Sequence, residues 1–315
     1  MPYVKNTMEI LDKANKEYYG IGAFNINDME FLYAIVNGAV KENAPIIIET
    51  SEGAMKYAGN GDPILGAQVL ADMVKRIADE VSIPIALHLD HGHDIYHVLA
   101  AIKAGYSSVM IDASKYPFEE NLKRTKEVVK LAHAVGISVE AELGRLQGVE
   151  DNVSVAERDA VLINPDEAKR FVEETEIDFL APAIGTSHGA FKFKGEAKLD
   201  FERLQKVKEL TGLPMVLHGA SSVPSELVEE ANKYGANIKG AKGVPFDVLK
   251  EAVKYGINKV NTDTDLRMAF LAGLRKALHD DPAQFDPRKY FKPGMEKVEE
   301  AVIERIKVLG SSGKA

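Results

Sequence analysis

Residues 84–94 read PIALHLDHGHD, a short apolar run from Pro84 to Asp90 that stops on polar side chains and gives way to a longer amphipathic stretch. A run of that length suits a strand buried on both faces, and the stretch behind it suits a crossover helix. The alternation recurs along the whole chain. Eight apolar runs can be counted: Gly20 to Ile26, Pro45 to Ser51, Pro84 to Asp90, Ser108 to Ser114, Ser138 to Gly144, Phe179 to Gly185, Pro214 to Ala220 and Gly256 to Thr264. Between them lie helical patterns such as EENLKRTKEVVKLAHAV (Glu119 to Val135), where apolar residues recur at three and four and Gly136 suits a C-cap.

This pattern predicts an α/β fold, a single (β/α)8 TIM barrel over residues 1–315, with a doubly wound sheet as the alternative. No long Pro/Gly/Ser-rich linker divides the chain. Two segments exceed the minimal repeat: GVEDNVSVAERDAVLIN (Gly148 to Asn164) after the fifth run and YGANIKGAKG (Tyr234 to Gly243) before the last. Long βα connections in a barrel are usually functional, so a mobile active-site loop is expected at about residues 145–163. The tail from Asp286 predicts an extra C-terminal helix, with the final GSSGKA frayed.

The 315 residues are 45% hydrophobic, enough for a large core, and carry a formal charge of -9. That balance argues against nucleic acid as a partner, since neutralising a phosphate backbone needs a basic face. Cysteine is absent, so disulfides and thiolate metal ligands are excluded and any metal site must use His, Asp and Glu. The first twenty residues lack the apolar region of a secretory signal, and no run reaches the length of a membrane span. A cytoplasmic protein without membrane contact is expected.

In a barrel the active site is built from the carboxyl ends of the strands. Polar groups stand there repeatedly: Asp90 and His91 where the third run ends, Glu140 and Glu142 toward the end of the fifth, His188 beyond the sixth, His218 toward the end of the seventh, and Asn261 to Thr264 at the end of the eighth. A single His in such a place is commonly a hydrogen-bonded rim residue. Three at one pole of a barrel would form a catalytic metal site with an open position. His88, inside a run, and His93, at the start of a helix, read as structural or supporting neighbours, while His97, His133 and His279 read as solvated helix residues. Gly219, Ser221 and the stretch Asn261 to Thr264 precede helices, where backbone amides can hold a phosphate or simply be capped. Arg267 either pairs with a second phosphate or faces solvent.

Five motifs in register, LDHG, VEAELG, GTSHG, LHGASSVP and NTDTDLRMAF, resemble those of class II fructose-bisphosphate aldolases, and the match extends over residues 2–305. LHGASSVP and the segment before the last strand are similar to the class IIB subgroup. The resemblance implies His91, His188 and His218 as Zn²⁺ ligands, with Glu142 lining an alternative metal position. It implies Asp90 as the group that exchanges a proton with the C4 hydroxyl, and Glu150 as the acid/base for the ketone half. Gly189, Gly219, Ser221, Asp263 and Thr264 would hold the phosphate of dihydroxyacetone phosphate, and Asn261 its carbonyl or hydroxyl. Asn25 and Ser51 would lie near the far half of the substrate, and Arg267 would reach the other phosphate. A monovalent cation (Na⁺ or K⁺) near the phosphate and a homodimer or homotetramer are further implications.

The resemblance thus implies reversible cleavage of fructose 1,6-bisphosphate to the triose phosphates through an enediolate whose charge a Lewis acid neutralises. Tagatose 1,6-bisphosphate is the nearest alternative substrate, because the same chemistry serves either C4 configuration. A metal-dependent hydrolase and a silent sugar-phosphate binder are the other readings.

Overall fold

The computed structural model describes residues 2–144, 147–150, 153–155, 161–188, 199–239 and 241–315, with the backbone alone at 147–150, 153–155 and 187–188. The strands are β1 (Ile21–Asn25), β2 (Ile46–Ser51), β3 (Ile85–Gly92), β4 (Ser108–Ile111), β5 (Ser138–Leu143), β6 (Gln147–Glu150), β7 (Val153–Val155), β8 (Phe179–Pro182), β9 (Ser187–His188), β10 (Met215–Leu217) and β11 (Ile257–Thr262). Eight of them close a parallel barrel in the order β1-β11-β10-β8-β5-β4-β3-β2. These eight are the eight apolar runs, so the barrel is borne out and the doubly wound alternative is set aside. β6, β7 and β9 form a small separate sheet in which Gly148 of the segment after β5 pairs with His188.

The strand period of two decides what the barrel contains, because every second residue points inward. Near the amino ends the inward residues are apolar: Ile21, Ile47, Ala86, Phe179 and Val216 pack with Ile10, Leu11 and Ala14 of the helix Met8–Glu17. Two residues beyond Ile47, Ala86 and Val216 the inward side chains become polar, giving Glu49, His88 and His218, and two further on stand Ser51 and Asp90. One end of the barrel is thereby an apolar plug and the other a polar mouth. The larger core lies between the sheet and the outer helices, where Phe31, Leu70, Phe171 and Val302 are buried.

The C-terminal helix Lys292–Leu309 forms as expected and buries Arg305. Its guanidinium is paired with Asp265 and bonds the hydroxyl of Ser222 at 3.1 Å. Asp265 accepts the backbone N–H groups of Ser222 (3.0 Å) and Val223 (2.6 Å). Val223 is β-branched at a φ of 45°, a conformation that persists only where its surroundings impose it. Removing one member of a buried ion pair leaves the other uncompensated. Arg305→Met is therefore expected to lower unfolding free energy by about 3–5 kcal/mol in urea titrations; a loss of less than about 1 kcal/mol, the range of an exposed pair, would contradict this.

The tail is not frayed. Ser311 is buried, the Gly313 and Ala315 N–H groups donate to Glu42 (2.8 Å) and Asn43 (3.1 Å), and Lys314 lies 2.8 Å from Glu17. Backbone hydrogen bonds and an ion pair hold a segment whose Gly/Ser composition alone suggests freedom. His97 also departs from expectation: it is buried, with Nδ1 2.9 Å from Asp94 and 3.2 Å from Glu52. Asp94 is the N-cap of the helix Ile95–Ala104, and the carboxylate that accepts the His97 N–H also meets its Nδ1. His93 precedes that cap and is half-buried beside Glu52, and His279 is exposed on its helix.

Candidate active site

Asp90 and His91 are consecutive, and a regular strand would send them to opposite faces. The register between β3 and β4 shifts between Leu89 and Gly92, so these two residues stand against Met110 alone. His91 takes a φ of 48°, a left-handed conformation that costs on the order of 1–3 kcal/mol for a residue with a Cβ. Such a bulge re-aims side chains. Donor atoms of Asp90, His91 and His218 come within 4.8 Å of one another, as do those of His91, Asp112 and Glu142.

Each imidazole is fixed by carboxylates. His91 Nδ1 lies 3.0 Å from Asp112, whose other oxygen accepts the Ser114 N–H and hydroxyl. Burial works against the Asp112 anion, but His91 and Ser114 outweigh it and hold the carboxyl far below its ordinary range. His218 stands 4.5 Å from His91 between ring centres, with Nε2 2.6 Å from Glu140 and Nδ1 2.8 Å from Glu142. Burial and neighbouring His91 disfavour a proton on His218; Glu140 and Glu142 reverse this and carry it up to about 9. Two imidazoles and a carboxylate, without thiolate, suit a divalent ion such as zinc, and the carboxylate behind each ring is the arrangement that orients metal-binding histidines.

Asp90 is buried and held from both sides. Asn25 donates to one carboxylate oxygen at 2.8 Å and Asn261 to the other at 2.9 Å. Beneath it, fully buried Lys259 lies 2.6 Å from Glu49, 2.9 Å from Glu140 and 2.8 Å from Oδ1 of the Asn261 side chain. Burial and Asp90 push Glu49 up to about 8, whereas Lys259 and His218 hold Glu140 well below the usual carboxylate range against its own burial. His88 bonds the Ser108 hydroxyl at 2.7 Å and falls to about 4, driven by burial and by Lys259, so it is a neutral supporting group.

The turns after β10 and β11 meet. The Ser221 hydroxyl accepts the Asp263 N–H at 3.4 Å, and Thr264 opens the helix Thr264–Asp280. Gly219 takes a φ of 59° immediately after His218. Gly243 and Val244 pack on this turn: Val244 donates to the Ser221 carbonyl at 3.0 Å, and a Cβ on Gly243 would sit 2.0 Å from that oxygen. Arg267 pairs with Asp263 at 2.7 Å on a half-exposed side chain. The Ser51 hydroxyl accepts the Ala54 N–H at 3.2 Å and so caps the helix Glu52–Ala58.

The structure therefore brings together Asp90, His91, Glu142, His218, Asn25 and Asn261. The side chains of Glu150 and His188 lie outside the described residues, as does all of Gly189. Asp112, Glu49 and Lys259 were not anticipated from the sequence. Their signal was a charged residue within or closing an apolar run, since Lys259 shares the inward face of Asn261 two positions on.

The sequence profile described as "Fructose-bisphosphate aldolase class-II" matches residues 5–314. A curated fructose-bisphosphate aldolase of Helicobacter pylori is 57% identical over 97% of this chain and 98% of its own length. One from Thermus caldophilus is 50% identical over 98% of each chain. A crystal structure titled as a putative fructose-1,6-biphosphate aldolase from Coccidioides immitis superposes with a TM-score of 0.80 at 28% identity, covering 98% of both chains. With the profile spanning nearly the whole chain and close relatives matching end to end, the protein belongs to the metal-dependent class II fructose-bisphosphate aldolase family.

Proposed function

We propose that the protein is a zinc-dependent fructose-1,6-bisphosphate aldolase, reversibly cleaving its substrate to dihydroxyacetone phosphate and glyceraldehyde 3-phosphate. The observation that carries this reading is the junction of two elements at one barrel mouth: the donor cluster His91, His218 and Glu142, and an Asp90 carboxylate clamped by two amides. His188 completes the ligand set in this reading. A bound Zn²⁺ supplies Lewis-acid polarisation of the substrate ketone.

The residues of the chain supply the rest. Asp90, its oxygens directed by Asn25 and Asn261, takes the C4 hydroxyl proton as the C3–C4 bond breaks and returns it in the reverse direction. Glu150 removes and returns the proton on the ketone half, and the segment 145–163 closes over bound substrate to exclude water. Gly189, Gly219, Ser221, Asp263 and Thr264 cradle one phosphate beside the β10 and β11 turns, where helix-opening amides favour an anion. A monovalent cation sits near that phosphate. Ser51 lies along the far half of the substrate and Arg267 reaches the second phosphate.

The chain is one barrel domain over residues 1–315 and acts in the cytoplasm, where its charged substrates are retained. Among the described residues no helix is long and apolar enough to cross a membrane. A homodimer or homotetramer is supported by the exposed apolar side chains Leu65, Val69, Tyr96 and Leu99 on adjacent helices.

The test is cleavage of fructose 1,6-bisphosphate by purified protein with coupled detection of the triose phosphates, before and after chelation, with tagatose 1,6-bisphosphate in parallel. Chelator-sensitive cleavage favouring the fructose sugar is expected. Preference for tagatose would reassign the substrate, and no cleavage of either sugar by zinc-replete protein would overturn the reading.

A further inference from the structure

The barrel interior carries a charge that the mechanism above does not use. Lys259 is fully buried on β11, and its ammonium is placed between Glu49, Glu140 and the Asn261 side chain. A buried lysine in an enzyme that handles a ketone invites comparison with a Schiff-base nucleophile. That role needs a neutral amine, and here the Glu140 carboxylate, with Glu49 and Asp90 beside it, outweighs the effect of burial and stabilises the proton of the ammonium.

What the ammonium does is decided by the chemistry of its third partner. An amide side chain presents an oxygen that only accepts and a nitrogen that only donates, whereas an ammonium only donates and a carboxylate only accepts. Asn261 lies between the two kinds: its oxygen is 2.8 Å from Lys259 Nζ and its nitrogen 2.9 Å from Asp90 Oδ1. Rotating the amide by half a turn would set NH₂ against NH₃⁺ and oxygen against carboxylate, losing both bonds and gaining two repulsions. Without the ammonium the two orientations would differ by the Asp90 contact alone.

We propose that Lys259 is a positioning residue for the cleavage step: it locks the Asn261 amide in the single orientation that donates to Asp90, and so fixes the carboxylate that handles the C4 hydroxyl. Glu49 and Glu140 are the anchors that keep the ammonium at this height in the barrel, and Asn25 supplies the matching donor on the other carboxylate oxygen. The inference rests on the role given to Asp90 under the proposed function. It predicts an asymmetry between partial reactions. Exchange of the ketone-half proton of dihydroxyacetone phosphate with solvent does not involve the C4 hydroxyl, whereas carbon-carbon cleavage does.

The experiment compares Glu49→Gln/Lys259→Met, which removes the ammonium together with the buried acid it faces across 2.6 Å, with the unaltered enzyme and with Asp90→Ala, all zinc-loaded and checked by thermal melting. The expected result is a fall in kcat for fructose 1,6-bisphosphate cleavage of tenfold or more, with solvent exchange into dihydroxyacetone phosphate changed less than twofold and KM changed less than threefold. Cleavage that is unchanged, or that falls in parallel with exchange, overturns the role of Lys259. If the double variant does not fold, Lys259→Gln, whose shorter neutral amide can still bond Glu140, is read by the same criteria. Asp90→Ala separates the two levels: loss of cleavage there with full cleavage in the Lys259 variants sinks the positioning role alone, whereas intact cleavage in Asp90→Ala sinks the reading of Asp90 on which it depends.

Discussion

Asp90→Ala is expected to lower kcat for fructose 1,6-bisphosphate cleavage by about 10²–10⁴-fold, the range typical of a positioned general acid or base, while proton exchange on the ketone half persists. The geometry makes this residue the centre of the mouth. Both its oxygens are already directed, one by Asn25 and one by Asn261, so little reorganisation is left when substrate arrives. Truncation leaves those two amides without their acceptor in a buried setting, which adds a stability cost of a few kcal/mol at most. The comparison of kcat with melting temperature separates the two effects. A variant that melts normally yet keeps more than about a tenth of its cleavage rate would fall short of even the lower end of that range, and Asp90 would then be an orienting group for its neighbours.

The strands were legible because each is a short apolar run that ends on polar residues, and burial on both faces writes that signal into the local sequence without reference to distant residues. The polar mouth was legible for the same reason, as with His218 closing the run from Pro214. Geometry that depends on partners far along the chain was not. Nothing local marks the bulge at Asp90 and His91: the residue that adopts the left-handed conformation is a histidine, although Gly92 stands beside it. Lys259 reads as an oddity inside INKVNT until β5 and β2 bring Glu140 and Glu49 to it. His97 shows the limit of helical periodicity, since its burial comes from the cap carboxylate of Asp94 and from Glu52 on the neighbouring unit. The docked tail was hidden in the same way, because its partners Glu42, Asn43 and Glu17 lie near the other end of the chain.

His218→Ala should abolish both turnover and the response to metal. Its ring is the one described side chain placed against His91, Glu142 and Glu140 at once, so its loss removes one donor and leaves two buried acidic groups facing a void. A bound divalent ion supplies several kcal/mol of charge stabilisation to a polarised carbonyl, and each 1.36 kcal/mol is tenfold in rate. A loss of about 10³-fold or more follows. The thermal readout is independent of turnover. A ligand that binds only the folded state at a thousandfold excess over its Kd stabilises by about 4 kcal/mol, which for a chain of this size corresponds to a shift of roughly 6 °C. Chelation should lower the melting temperature of the unaltered protein by that order, and zinc should restore it. In His218→Ala neither chelator nor zinc should move the transition, and metal analysis of the dialysed variant should find little zinc. If the variant instead binds zinc stoichiometrically and melts higher with it, the ion is held by a different donor set, and the cluster around His91 and Glu142 would then have to retain it without His218.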